Sequence, residues 1–143
     1  MTRFGYTLMT EQSGPKELVR YAAAAERVGF DFEVSSDHYF PWLSAQGHAP
    51  YAWTVLGAVA QVTERVELMT YVTCPILRYH PAVVAQKAAT LQILADGRFT
   101  LGLGAGENLR STSSGRAGRA STYGRTCWPR RSRSSGSCTA ETS

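Results

Sequence analysis

The stretch VELMTYVTCPILRYHPAVVAQKAATLQILADGRFTLGLG (residues 66–104) decides the fold, because it holds a strand, a helix and a second strand in succession. Residues 66–74 are apolar and β-branched and stop at Pro75, which predicts a strand. Residues 80–97 have a proline near their start and a glycine at their end, which predicts a helix. Residues 98–104 predict the next strand. A unit of this kind places its two strands parallel in one sheet.

The same pattern continues towards the N-terminus. Residues 3–8 and 31–36 predict two further strands, and residues 13–30 and 51–65 predict the helices that follow them. In the first of these helices Ser13 is a candidate N-cap. The order βαβαβαβ, with a period of about thirty residues, predicts an α/β fold with a parallel sheet.

Two α/β folds compete, the doubly wound sheet and the (β/α)8 barrel. Chemically useful residues follow the second, third and fourth predicted strands alike, which favours the barrel, since its active site is built from the loops after every strand. A complete barrel takes about 250 residues. Residues 1–109 therefore predict the first half of a (β/α)8 (TIM) barrel.

The charge of the chain is divided between two regions. The whole chain carries +4, but residues 1–109 carry eight Lys and Arg against ten Asp and Glu, a net charge of −2. Residues 110–143 carry seven Arg and one Glu, a net charge of +6, together with nine Ser. Such a composition cannot bury a core. We expect residues 110–143 to be a disordered basic tail without counterpart in the barrel, most simply the product of a reading-frame shift after about residue 109.

Composition excludes several classes of protein. The longest apolar runs are too short to span a membrane, and the N-terminus lacks the apolar segment of a secretory signal. The three cysteines are odd in number and widely spaced, so they predict neither a metal site nor a disulfide framework. A cytoplasmic location is the default expectation.

The segment SSDHYFPW (residues 35–42) follows the second strand and carries the strongest candidates for catalysis. His38 suits removal of a proton from a substrate hydroxyl, since an imidazole titrates near neutrality. Asp37 could fix the tautomer of His38 or bind a ligand, and Trp42 could wall a flat cofactor. The competing interpretation is a capping Asp beside a surface His, with the aromatic residues in the core.

The segment LGLGAGEN (residues 101–108) follows the fourth strand. Its glycines would let the backbone approach a planar ring or a phosphate, although turns also require glycine. A partly desolvated Glu107 could stay protonated and act as an acid, or could simply favour a helix N-terminus. Cys74 has no identifiable partner base and is expected to line a pocket rather than to act as a nucleophile.

The segments VSSDHYFPW, QGHAPYAW, RYHPAVVAQ and FTLGLGAGEN together resemble the luciferase-like flavin and deazaflavin oxidoreductases. The similar branch contains the F420-dependent glucose-6-phosphate dehydrogenases. The resemblance covers residues 4–109. It implies a barrel that binds coenzyme F420 at the carboxyl ends of its strands and passes hydride between a substrate carbinol or carbonyl carbon and C5 of the deazaflavin. FMN-dependent monooxygenases share this fold, so FMN is the alternative cofactor.

The resemblance assigns roles residue by residue. His38 would take the substrate proton, Glu107 would serve N1 of the deazaflavin, and Trp42 would be the active-site tryptophan. A non-prolyl cis peptide is expected near Tyr71-Val72. The residues expected to contact the cofactor are Asp37, Tyr71, Val72, Cys74, Ala105 and Gly106, and no metal is expected.

The sequence thus predicts a fragment of an F420-dependent oxidoreductase, inactive as the chain stands, which acts on a small molecule. Relatives of this kind commonly form homodimers. Two alternatives stay open: a fragment of an FMN-dependent monooxygenase, and a nucleic-acid-binding protein acting through its basic tail. The second alternative has less support, since the excess of positive charge lies wholly in residues 110–143.

Overall fold

The computed structural model describes residues 1–76 and 78–105. Four short strands alternate with three helices in the predicted order. The elements are β1 (Gly5–Leu8), α1 (Pro15–Val28), β2 (Phe32–Ser35), a 3₁₀ turn (Ser44–Gln46), α2 (Ala52–Val62), β3 (Glu67–Thr70), α3 (Pro81–Leu94) and β4 (Phe99–Thr100).

The four strands form one parallel sheet in the order β1-β2-β3-β4. Leu8 pairs with Ser35, and Ser35 with Thr70, so the first three strands end level with one another. The strands are shorter than predicted. The ladder between β3 and β4 stops early, and pairing resumes only as an isolated bridge between Thr73 and Leu103.

Two helix starts show how local chemistry sets the ends of elements. Helix α1 is capped by Gly14 and not by Ser13, so the prediction of Ser13 as the N-cap is wrong. The Glu17 carboxylate accepts the backbone N–H of Gly14 at 3.1 Å, which stabilises this helix end without a capping hydroxyl. At α3, Nδ1 of His80 accepts the N–H of Ala82 at 3.2 Å, which gives His80 a structural role.

The hydrophobic core lies between the sheet and the layer of three helices. Helix α1 packs against α2, and α2 against α3. The core contains apolar residues of both layers: Leu8, Leu68 and Phe99 from the sheet, and Leu18, Ala22, Val55, Leu56, Val59 and Leu91 from the helices. Because side chains alternate along a strand, one face of the sheet belongs wholly to this core.

The opposite face of the sheet is not covered by the described residues. Thr7, Val34, Met69 and Thr100 are paired across this face, and each is exposed or half-buried. In a closed (β/α)8 barrel this face points to the interior. The carboxyl ends of all four strands meet at one edge of the sheet, here called the C-terminal edge, where the residues following each strand come together.

Candidate active site

The carboxylate of Asp37 is the centre of the hydrogen-bond network at the C-terminal edge. Oδ2 accepts the indole N–H of Trp53 at 2.9 Å and the hydroxyl of Thr73 at 3.1 Å. Oδ1 accepts from Nη1 of Arg78 at 2.8 Å and from the hydroxyl of Tyr79 at 3.1 Å. An ionised carboxylate has about four acceptor positions, and four protein donors occupy them. Asp37 therefore joins the end of β2 to α2, to the end of β3 and to the segment before α3.

His38 lies beside Asp37 and is buried, with 7% of its surface exposed. Its Nε2 lies 2.5 Å from Oε1 of Glu11 and 3.1 Å from the indole nitrogen of Trp42. The indole can only donate and an ionised carboxylate can only accept, so the position of one proton decides which contact is a hydrogen bond. A protonated Nε2 donates to Glu11, and a bare Nε2 accepts from Trp42. This arrangement suits a group that changes protonation state during a reaction.

Glu11 belongs to this site, although sequence analysis did not single it out. It is buried at 4% exposure in the loop after β1, and the hydroxyl of Thr10 lies 3.4 Å from its second oxygen. The available signal was positional: an acid three residues beyond the end of a strand lies at the same edge as residues that follow the other strands.

The structure contradicts the competing interpretation of segment 35–42, and the catalytic roles of its residues stay predictions. Asp37 and His38 are both buried, so they are not a surface cap with a neighbouring histidine. Tyr39, Phe40 and Trp42 are exposed, Trp42 by 45%, so the expectation that such an aromatic cluster lies in the core is wrong here. The indole of Trp42 contacts the His38 ring edge-on, with centroids 5.3 Å apart.

The expected cis peptide is present between Tyr71 and Val72. The carbonyl of Tyr71 accepts the hydroxyl of Ser36 at 2.9 Å, and its N–H donates to the carbonyl of Ser35 at 2.8 Å. These two hydrogen bonds join the chain after β3 to the end of β2. The side chain of Tyr71 is 62% exposed beyond the edge of the sheet.

The glycines after β4 bring two chain segments into close contact. A Cβ atom on Gly102 would lie 2.0 Å from the carbonyl oxygen of Thr70, and one on Gly104 would lie 2.5 Å from a methyl carbon of Val72. The carbonyl of Gly102 accepts the N–H of Thr73 at 2.9 Å. These two glycines are therefore required for packing against the end of β3.

The remaining predicted contacts divide into two groups. Cys74 and Ala105 lie at the C-terminal edge and are half-buried. Glu107, predicted as an acid, and Gly106, predicted as a cofactor contact, lie outside the described residues. The predicted basic tail also lies outside them.

Next to Asp37, the cations Arg78 and Lys87 pack against a group of tyrosine rings. Arg78 lies over the rings of Tyr39, Tyr51 and Tyr79, at 5.8, 5.8 and 5.0 Å from their centroids. Nζ of Lys87 lies 3.3 Å from the centroid of the Tyr79 ring. Burial, the hydrogen bond to Tyr51 and the negative charge of Asp37 raise the pKa of the Tyr79 phenol above its ordinary value. Tyr79 is therefore a neutral donor to Asp37.

The described residues contain neither a metal-binding cluster nor a membrane-spanning helix. In the ranges 1–76 and 78–105, no group of three or more His, Cys, Asp and Glu side chains is arranged to hold a metal ion. No helix in the same part of the chain is long and apolar enough to cross a membrane.

Comparison with known proteins identifies relatives of the chain. It is 51% identical over 115 residues to an F420-dependent glucose-6-phosphate dehydrogenase of Beutenbergia cavernae, covering 80% of this chain and 34% of that protein. A protein of the same name from Amycolatopsis mediterranei is 49% identical over 109 residues, which is 76% of this chain and 33% of the relative. The chain thus spans about a third of the length of these relatives.

Solved structures agree with the predicted fold. An F420-dependent secondary alcohol dehydrogenase in complex with an F420-acetone adduct superposes with a TM-score of 0.76 at 35% identity, covering 91% of this chain and 43% of that one. A coenzyme F420-dependent tetrahydromethanopterin reductase from Methanopyrus kandleri gives 0.67 at 26% identity, covering 79% and 30%. The prediction of an α/β fold equivalent to part of a (β/α)8 barrel is confirmed.

The profile of the family described as luciferase-like monooxygenase matches residues 1–126. This span extends past Leu109, so a domain boundary at that residue stays a prediction. The match covers most of the 143 residues and agrees with the predicted resemblance. The chain belongs to the luciferase-like monooxygenase family.

Proposed function

We propose that the C-terminal edge forms part of the active site of a coenzyme F420-dependent oxidoreductase that acts on a small-molecule carbinol or carbonyl group. The observation that carries this proposal is the burial of His38 between Glu11 and Trp42 at the edge where the family's barrel carries its chemistry. The names of the relatives, which are F420-dependent dehydrogenases and a reductase, support it.

His38 is the general base in this proposal. The hydroxyl of a bound alcohol replaces Trp42 as the partner of Nε2 and gives up its proton as the carbinol carbon loses hydride. The carboxylate of Glu11 contacts the same nitrogen and stabilises the imidazolium that forms when His38 takes the proton. In the opposite direction the same pair returns the proton to a carbonyl oxygen. Asp37 is held by four donors and acts as the support of His38 rather than as a proton carrier.

The described residues fit a flat, largely apolar ring. Trp42, Tyr71 and Leu103 are exposed large side chains that follow or flank strands ending at the C-terminal edge. Apolar walls with a few fixed polar groups are what a planar cofactor requires. Coenzyme F420, when bound, supplies the hydride acceptor or donor at C5.

The other predicted roles remain part of the proposal. Glu107 would serve N1 of the ring, and the residues that would contact the ring are Asp37, Tyr71, Val72, Cys74, Ala105 and Gly106. We also propose a homodimer and a cytoplasmic location, as expected from the sequence, and a boundary after Leu109 between barrel and basic tail.

The proposal is tested with a hybrid protein, in which residues 1–105 of this chain replace the matching part of the Amycolatopsis mediterranei dehydrogenase. We expect the hybrid to reduce F420 with glucose 6-phosphate. His38→Ala should lower kcat by about a hundredfold or more, the usual range for a general base. His48→Ala is the matched control, since His48 is exposed in the same loop, and should leave kcat within about twofold.

Two results would contradict the proposal. One is a hybrid that binds F420 and keeps its rate after His38→Ala. The other is a hybrid that turns over with FMN and dioxygen but not with F420, which would favour a monooxygenase.

A further inference from the structure

We propose that Arg78 is a positioning residue that sets the imidazole of His38 against Glu11 and Trp42. Nη1 of Arg78 donates to two oxygens of Asp37, the side-chain Oδ1 and the backbone carbonyl, each at 2.8 Å. That carbonyl belongs to the planar peptide group that joins Asp37 to His38. The hydrogen bond to this carbonyl oxygen therefore fixes the orientation of the Asp37–His38 peptide plane, and with it the backbone of His38.

The contact with the carbonyl distinguishes Arg78 from the other partners of Asp37. Trp53, Thr73 and Tyr79 donate to the carboxylate, and their contacts hold the end of β2 to the rest of the fold. Arg78 donates to the carboxylate and to the main chain at the same time. Loss of Arg78 therefore frees the Asp37–His38 peptide while three anchors of the carboxylate remain.

Arg78 is itself held in place by two kinds of contact. Its side chain is 23% exposed and lies against the three tyrosine rings described above. Its backbone N–H donates to the carbonyl of Pro75 at 3.1 Å, which fixes the turn that carries it. A guanidinium is planar and stacks on aromatic rings while its N–H groups bind oxygens, whereas a lysine ammonium at this position would keep the charge but lose the stacking.

The functional meaning of this inference rests on the proposed role of His38, but its test needs no turnover. With Nε2 of His38 unprotonated, Trp42 donates its indole N–H to that nitrogen, and the ¹⁵N–¹H signal of this indole then reports the position of the imidazole. The chain has three tryptophans, Trp42, Trp53 and Trp128, and single substitutions to phenylalanine assign their signals. The experiment uses the full chain labelled with ¹⁵N.

Three variants are compared with the unmodified chain. Arg78→Met should move the Trp42 indole signal and speed its hydrogen exchange by about tenfold, the factor expected when a hydrogen bond of ordinary strength is lost. Arg78→Lys should restore part of the original signal. Lys87→Met is the matched control, because Lys87 contacts the same Tyr79 ring without a hydrogen bond to Asp37, and it should leave the Trp42 signal unchanged.

The proposal is contradicted if folded Arg78→Met keeps the Trp42 signal of the unmodified chain, or if Lys87→Met changes that signal as strongly. If Arg78→Met does not fold, Arg78→Lys decides, and an unchanged Trp42 signal in that variant contradicts the proposal. The hybrid assay tests His38 separately, so a failure of the proposed function is distinguishable from a failure of this inference.

Discussion

Two buried carboxyl groups on the same stretch of chain have opposite environments. Asp37, just beyond β2, is 1% exposed and accepts hydrogen bonds from four side chains. Glu33, within β2, is fully buried, and neither of its oxygens has a hydrogen-bond partner among residues 1–76 and 78–105. Burial, and to a lesser extent the charge of Glu26, raise the pKa of Glu33 to about 7, against a weaker opposing effect of Arg98.

The difference shows where this fold supports a charge. At the C-terminal edge the polar groups converge, and a carboxylate is stabilised by donors from three other segments. In the layer between sheet and helices, Glu33 pairs with Tyr6 and Leu68 across the strands and faces the core. Such a place favours the neutral acid over the carboxylate. The presence or absence of hydrogen-bond donors thus distinguishes the surroundings of Asp37 from those of Glu33.

The largest expected effect is at Asp37. Asp37→Ala leaves a partly buried guanidinium without its carboxylate and removes the acceptor of three further donors, which should lower the free energy of unfolding by about 3–5 kcal/mol. Urea denaturation followed by circular dichroism measures it. Asp31→Ala is the control, since Asp31 accepts a hydrogen bond from Phe4 in an exposed position and its loss should cost about 1 kcal/mol. Equal effects at the two positions would contradict the central place of Asp37.

Replacement of Glu33 gives the next largest effect, and at high pH it raises the free energy of unfolding instead of lowering it. Its folded-state pKa lies above the unfolded value, so folding favours the protonated form, and stability falls as pH rises from about 4.5 to about 7. Glu33→Gln removes this dependence while keeping the shape of the neutral acid. The variant should be more stable than the unmodified chain by about 3 kcal/mol at pH 8, and nearly equal to it at pH 4.5.

Urea denaturation of both proteins at several pH values measures this difference. A constant difference in the free energy of unfolding from pH 4.5 to pH 8 would contradict the neutral, unpaired state of Glu33.

A smaller effect on stability is expected from substitution of Gly102. Gly102→Ala places a Cβ atom 2.0 Å from the carbonyl oxygen of Thr70, so the chain after β4 must shift, at a cost of about 1–3 kcal/mol. Gly57→Ala is the matched change inside α2, where the nearest atom to the new Cβ lies 4.0 Å away, on Leu94. This second variant should gain up to about 1 kcal/mol from helix propensity. Thermal unfolding shows whether each variant is stabilised or destabilised, and a stabilising Gly102→Ala would show that the close approach of the chain after β4 to the end of β3 is not required.

The smallest effect is at Glu26, a second carboxylate with several donors. It accepts the backbone N–H groups of Glu64, Arg65 and Val66 at 2.7–3.2 Å. Burial raises its pKa, but these backbone hydrogen bonds outweigh burial and lower the pKa below its ordinary value. Its contribution is therefore present at neutral pH and is lost as pH falls below about 4.5.

Glu26→Gln should lower the free energy of unfolding by about 1–2 kcal/mol at pH 7. In this variant the free energy of unfolding should also fall less steeply as pH drops below about 4.5. Urea denaturation at several acidic pH values measures this, and a pH dependence equal to that of the unmodified chain would contradict the role of these hydrogen bonds.

The predictable part of the fold is the part that depends on periodicity. Alternation of strand and helix patterns gives the parallel sheet and its order, because connections of this length leave few other arrangements. Element ends were less predictable. Ser13 has the hydroxyl of an N-cap, yet the Glu17 carboxylate satisfies the N–H of Gly14, and the helix starts one residue later than a Ser13 cap implies.

The candidate site was predictable where a sequence motif carried it. His38 and Trp42 stand in a distinctive segment and prove to be in contact. Glu11 and Arg78 stand in no such pattern, and their roles depend on packing that brings together residues 27 and 41 positions from their partners His38 and Asp37. Contacts over such distances in sequence require the fold to be known.

The most direct test of the account is a crystal structure of the hybrid protein with F420 bound. We predict that the deazaflavin ring lies at the C-terminal edge, against Tyr71 and Val72, with His38 and Trp42 facing its C5 atom. A ring bound at the amino ends of the strands, or turned so that His38 lies far from C5, would contradict the claim that this edge is the reaction site.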